Sequence, residues 1–239
     1  MRSSHDASGA EHIVVGVLGG MGPDATVAFM QQVIQATPAE DDIDHVHMVV
    51  DNNPKVPSRI KALLEGGDVS PGPAIAEMAQ RLEQSGCDFL VMPCNTAHYY
   101  WQDAQDAVSI PVWHIVERTL DRVAAQWPGA RVGMLCSPAL RKIGLYEGFI
   151  ESRGLSLAYP QDEAAMLEVI RNVKKGQVSD EVIGDAFRQA AADLVSQGAD
   201  VLVLACTELS IISHLLDVRL PIVDSVEALA VSVAQAATR

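Results

Sequence analysis

Short runs rich in Val, Ile and Leu recur along the chain between longer amphipathic stretches. They fall at Ile13–Leu18, Val46–Val50, Asp88–Met92, Val112–Ile115, Arg131–Leu135, Asp200–Leu204 and Pro221–Val223. Each is apolar on both faces and too short for a helix, the pattern of a strand in a parallel sheet covered on both sides. The amphipathic stretches predict helices near Asp24–Ala36, Ala74–Ser85, Val116–Gln126, Ala139–Ser152, Ala164–Val173, Asp180–Gln197 and Val226–Ala237. Alternation of the two predicts an α/β fold with parallel sheets and right-handed crossovers.

An internal repeat divides the chain. Ser85-Gly86-Cys87-Asp88-Phe89-Leu90-Val91-Met92-Pro93-Cys94-Asn95-Thr96 aligns position by position with Gln197-Gly198-Ala199-Asp200-Val201-Leu202-Val203-Leu204-Ala205-Cys206-Thr207-Glu208. In each copy a helix ends at Gly, Asp opens a strand and Cys follows its last apolar residues. Ile110-Pro111-Val112 likewise echoes Leu220-Pro221-Ile222, and Val15-Gly16-Val17-Leu18 echoes Val132-Gly133-Met134-Leu135. The expected organisation is a flexible tail at 1–11, a first lobe at 12–115 and a second at 116–223. A terminal helix, 224–239, is free to pack on the first. Two facing, pseudo-symmetric lobes bring Cys94 and Cys206 to opposite walls of one cleft.

In an open parallel sheet, ligands bind beyond the carboxyl ends of the strands, where both cysteines lie. A helix start after each is expected to lower the thiol pKa toward neutrality and to welcome a carboxylate. Asn95, Thr96 and Thr207 add donors. Two opposed thiols suit a reaction that removes a proton from one face of a carbon and returns one to the other. Cys87 and Cys136 read as small buried hydrophobes.

Composition narrows the choice. The 239 residues are 49% hydrophobic, enough for a sizeable core. A net charge of −14 argues against nucleic-acid or anionic-membrane partners. The four cysteines have neither the density of a secreted disulfide framework nor zinc-site spacing, so no metal and a reducing cytoplasm are expected. Gly19, Gly20 and Gly22 lack the Lys-Ser/Thr of a phosphate loop. Asp51 and Asp224 end strands, where Asp commonly caps a turn.

Taken in order, Gly19-Gly20-Met21-Gly22-Pro23, Asn52-Asn53-Pro54-Lys55-Val56-Pro57-Ser58-Arg59, Met92-Pro93-Cys94-Asn95-Thr96-Ala97-His98 and Ala205-Cys206-Thr207-Glu208 make the chain resemble the aspartate/glutamate racemase superfamily, within it the aspartate racemase group. The likeness runs from Ile13 to the C-terminus. It implies two Rossmann-like lobes, usually a homodimer, and an amino-acid racemase with no pyridoxal phosphate or other cofactor. Cys94 and Cys206 match the catalytic cysteines, and Arg59 and Lys174 a basic pair for the substrate's side-chain carboxylate. Met21, Asn95, Thr96 and Thr207 fall among the substrate-binding motifs, with His98 and Glu208 as supporting candidates. Ser137-Pro138-Ala139-Leu140 departs from the family's Thr-x-Gly-Thr turn, and Ala205 replaces a commoner Gly. Aspartate or glutamate is the expected substrate. Hydantoin, maleate and a broad range of amino acids stay open as substrates, as does a non-catalytic amino-acid binding protein.

Overall fold

A computed structural model describes residues 12–176 and 180–238; the tail expected at 1–11 lies outside them. The first half contains β1 (Val14–Gly19), α1 (Pro23–Ala36), β2 (His47–Asn52), α2 (Arg59–Leu64), α3 (Gly72–Gln84), β3 (Phe89–Val91) and α4 (Trp101–Asp106). The second contains α5 (Ile115–Gln126), β4 (Arg131–Cys136), α6 (Pro138–Lys142), α7 (Glu147–Ile150), β5 (Ser156–Ala158) and α8 (Glu163–Lys175). It continues through α9 (Asp180–Ser196), β6 (Val201–Ala205), α10 (Thr207–Ile211), β7 (Ile222–Asp224) and α11 (Ser225–Ala237).

Two parallel sheets result, ordered β2-β1-β3 and β5-β4-β6-β7. The repeat is visible in their hydrogen bonds. Asp88 accepts from Val14 N–H at 2.7 Å while its own N–H donates to the Val14 carbonyl at 2.8 Å. Asp200 does the same with Arg131, at 2.8 Å in both directions. Gly16 and Gly133 occupy matching close approaches: a Cβ on Gly16 would lie 2.4 Å from Leu90 Cδ2, and one on Gly133 2.7 Å from Leu202 Cδ2.

Two expectations are corrected, and some short elements appear that the pattern did not predict. Val112–Ile115 is no strand: Val112 makes only a bridge to Leu90, and Ile115 already opens α5. The helix expected at Ala139–Ser152 breaks into α6, α7 and a 3-10 turn, because Gly144 takes φ +62°, outside the helical range. β5, three residues long, was not expected.

Each sheet has two apolar faces. The outer face of the first packs on α3 and α4 around Leu18, Leu90 and Met92. That of the second packs on α8 and α9 around Leu135, Leu202 and Leu204. The inner faces share one core, in which Val15 and Val17 of β1 join Val132 and Met134 of β4 through α1, α5 and α11. α11, which follows the second sheet in sequence, lies against α1 and α5.

Candidate active site

Both cysteines sit just past strand ends. The Cys94 loop is fastened from behind by His98, which is fully buried: its Nδ1–H donates to the Cys94 carbonyl at 2.8 Å, and its Nε2 accepts from Ile115 N–H at 3.1 Å. Those bonds fix a neutral tautomer, and burial holds the ring's pKa down at about 4. His98 therefore positions the Cys94 backbone, and neither ring nitrogen is free for the thiol.

Cys94 and Cys206 line one narrow cleft with Met21, Asn95, Thr96, Lys174, Thr207 and Glu208. Its free space is about 20 Å³, roughly one water. Lys174 and Glu208 also border a vestibule of about 450 Å³, which Arg59 lines too. The vestibule's remaining wall includes Pro54, Val56, Val173 and Ile211. α1 opens onto it with Gly22, Pro23 and Asp24, and the Gly20–Gly22 turn is pinned by Thr26, whose hydroxyl accepts from Gly20 N–H at 2.8 Å. Gly20 has φ +86°, and a Cβ there would fall 2.3 Å from Asn53 backbone.

The two thiols differ in their surroundings. Cys94 Sγ lies 3.6 Å from the Thr96 hydroxyl. Cys206 donates to Glu208 Oε2 at 3.0 Å, Thr207 Oγ1 donates to the same oxygen at 3.4 Å, and Lys174 Nζ lies 3.3 Å from Oε1. Burial, then the Glu208 charge, pushes the Cys206 thiol well above its ordinary pKa. This corrects the expectation of a thiol lowered toward neutrality: the adjoining carboxylate and the enclosed site outweigh the start of a short helix.

Asn95 is held from far away in sequence. Its Oδ1 accepts from Tyr146 OH at 2.7 Å and its Nδ2 donates to Ser225 Oγ at 2.9 Å, which fixes the amide and leaves one N–H free. Ser137, noted in the sequence only as a departure, also lines the cleft. Its oxygen caps α6 by accepting from Ala139 N–H at 3.3 Å, leaving its own proton to donate. Ala205 lines the cleft as well, and Ile60 and Ile170, which complete it, carry no sequence signal beyond apolarity. Arg59 donates to the Pro57 carbonyl at 3.0 Å, and its buried Nε has no partner among the described residues. Asp51 pairs with Arg81 at 2.7 Å and Asp224 caps α11, so neither lines the cleft.

Among the described residues no cluster of three or more His, Cys, Asp or Glu is arranged to hold a metal. None of their helices is long and apolar enough to cross a membrane.

Two α/β halves with a cleft lined by two cysteines are an arrangement suited to acid/base chemistry, and the comparisons give the family. The profile for Asp/Glu/hydantoin racemases matches residues 18–233, and the chain belongs to that family. It is an amino-acid racemase. The chain is 30% identical over 224 residues to the broad specificity amino-acid racemase RacX of Bacillus subtilis, covering 92% of this chain and 96% of that one. It superposes on Picrophilus torridus aspartate racemase with a TM-score of 0.83 at 30% identity, covering 94% of each chain. Glutamate racemase from Francisella tularensis shares the fold, with a TM-score of 0.66 at 16% identity over 94% of this chain and 79% of that one.

Proposed function

We propose that the enzyme interconverts the enantiomers of a dicarboxylic amino acid, aspartate before glutamate, by two-base proton transfer between Cys94 and Cys206, without pyridoxal phosphate or metal. The observation that carries this reading is that two pseudo-equivalent strand ends deliver both thiols to one cleft, which shares Lys174 and Glu208 with the vestibule that Arg59 also lines. A thiolate on one wall takes the α-proton, and the thiol on the other returns a proton to the opposite face. The two enantiomers have equal free energy, so matched groups serve both directions. The free N–H of Asn95 and the Ser137 hydroxyl stand ready for the α-carboxylate, whose oxygens gain charge as the proton leaves. Arg59 and Lys174 favour a second carboxylate in the vestibule.

A wider substrate range is the second reading. The vestibule's size and its partly apolar wall favour it, as does the broad specificity named for RacX. A panel of single enantiomers incubated with enzyme and resolved by chiral chromatography separates the two.

The cysteine assignment has its own test. Cys94→Ser and Cys206→Ser should each abolish net racemisation, since a hydroxyl is too weak an acid and base at neutral pH. In heavy water each variant should still exchange the α-proton of one enantiomer without inversion, the two preferring opposite enantiomers. Wild-type racemisation in both variants, or exchange of the same enantiomer by both, would overturn the two-base arrangement.

A further inference from the structure

We infer that Glu208 is a base toward Cys206 and couples the substrate's side-chain charge to that thiol: a carboxylate entering the vestibule draws Lys174 off Glu208, and the freed Glu208 takes the Cys206 proton. This rests on the two-base, dicarboxylate reading above and goes beyond it, because it predicts that substrate charge acts on turnover as well as on binding.

The geometry divides Glu208 between two partners. Oε1 faces the Lys174 ammonium at 3.3 Å, while Oε2 accepts a hydrogen bond from the Cys206 S–H at 3.0 Å. The Glu208 side chain is only 10% exposed, against 41% for Lys174, so the lysine has somewhere to go and the glutamate does not. Lys174 lies in the last turn of α8 and borders both the cleft and the vestibule, within reach of a ligand in either. Among the described residues lining the cleft, Lys174 and Glu208 are the only charges. Glu208 also lies beside Thr207 and the uncharged Gly22 turn, where a Cβ would lie 3.8 Å from Oε1. Asp24 and Arg59 are the other charged residues lining the vestibule.

The physics follows from distance. The Lys174 charge lies against the carboxylate and stabilises its ionised form more than it stabilises a thiolate beyond it. Neutralising Lys174 with a substrate carboxylate removes that preference, which lowers the cost of moving the proton from Sγ to Oε2. The Cys206 S–H bond breaks, Glu208 gains the proton, and the thiolate takes the α-proton. Cys94 then delivers its proton to the other face and is left as the thiolate. When product leaves and Lys174 returns, the Glu208 proton passes to solvent and Cys94 regains one, so no other reactant is needed.

Asparagine is the neutral isostere of aspartate and leaves Lys174 on Glu208. Steady-state kcat and KM for L-aspartate and L-asparagine, in wild type and Glu208→Gln, therefore test the coupling. Wild type should show a kcat for aspartate roughly tenfold or more above that for asparagine, the effect of one unit of proton affinity. Glu208→Gln should bring the two kcat values to within about twofold while aspartate keeps its lower KM. If Glu208→Gln does not fold, Glu208→Asp replaces it and should shrink the ratio. Equal loss of kcat for both substrates, with the ratio intact, would mean that Glu208 only supports Cys206, and would overturn the inference. Absence of any aspartate preference in wild type would instead refute the dicarboxylate reading on which it rests.

Discussion

Acidification from about pH 7 to 5 is expected to weaken the fold through two histidines packed behind the cleft. Burial holds His98 at about 4 and His114 at about 3, against an ordinary value of 6.5 for each. Their rings lie 4.7 Å apart, so a charge on either opposes a charge on the other. The unfolded chain binds a proton on each ring near pH 6.5, and the folded chain does not. The stability they confer is complete above pH 6.5 and is lost as the pH falls toward the folded values. Each site then removes about 1.4 kcal/mol per pH unit, or about 2 kcal/mol by pH 5. The pair together removes about 4 kcal/mol, a large share of the 5–15 kcal/mol typical of a domain. Glu83 and Asp44, held below their ordinary carboxylate values by hydrogen bonds, act only at lower pH, while Asp224, raised by burial, takes up its proton first in the folded chain and opposes the loss, so the histidine share is read from the difference between wild type and a His98 variant. Urea unfolding at about pH 7, 6 and 5 measures the slope. His98→Gln keeps polar atoms but cannot titrate, and should reduce the slope by about half. A wild-type loss below about 1 kcal/mol across the window, or an unchanged slope in His98→Gln, would refute the reasoning.

Two further predictions concern the repeat and the vestibule. Gly16→Ala and Gly133→Ala place a methyl against equivalent leucines, and each should cost about 1–3 kcal/mol in thermal or urea unfolding; a neutral result for either would mean that its sheet yields where the other does not. Arg59→Ala should raise KM for aspartate by roughly ten- to a hundredfold, the worth of a charge-assisted hydrogen bond, with little change for alanine. Equal effects on both substrates would move Arg59 out of the substrate's reach.

The paired architecture was legible because it is written in local signals: a Gly that ends a helix, an Asp that closes a strand pair and a run of branched residues between them. The break at Gly144 was harder to read, since a glycine inside an amphipathic stretch becomes a stop only when its backbone turns left-handed. β5 is too short to show a period. At the site, Cys94 and Cys206 stood out by their matched places in the repeat, and Arg59 and Lys174 through the family motifs. What sequence could not convey were the partners of Asn95, since Tyr146 and Ser225 reach it only through the fold. The state of Cys206 was likewise misjudged, because the field at a thiol depends on where Glu208 and Lys174 come to rest, and adjacency in sequence says little about that.

The common core between the two sheets bears on how this enzyme can be recombined with its relatives. The repeat suggests a seam between the halves, and a crossover there looks harmless along the chain. Yet α11 is encoded at the far end and packs against α1 at the near end, with β1 and β4 contributing to the same apolar mass. A chimera joined at that seam would set an α1 from one parent against an α11 from another, so matching must be judged by interlocking surface instead of sequence position. Grafts that carry α11 together with the first half keep the interlock whole.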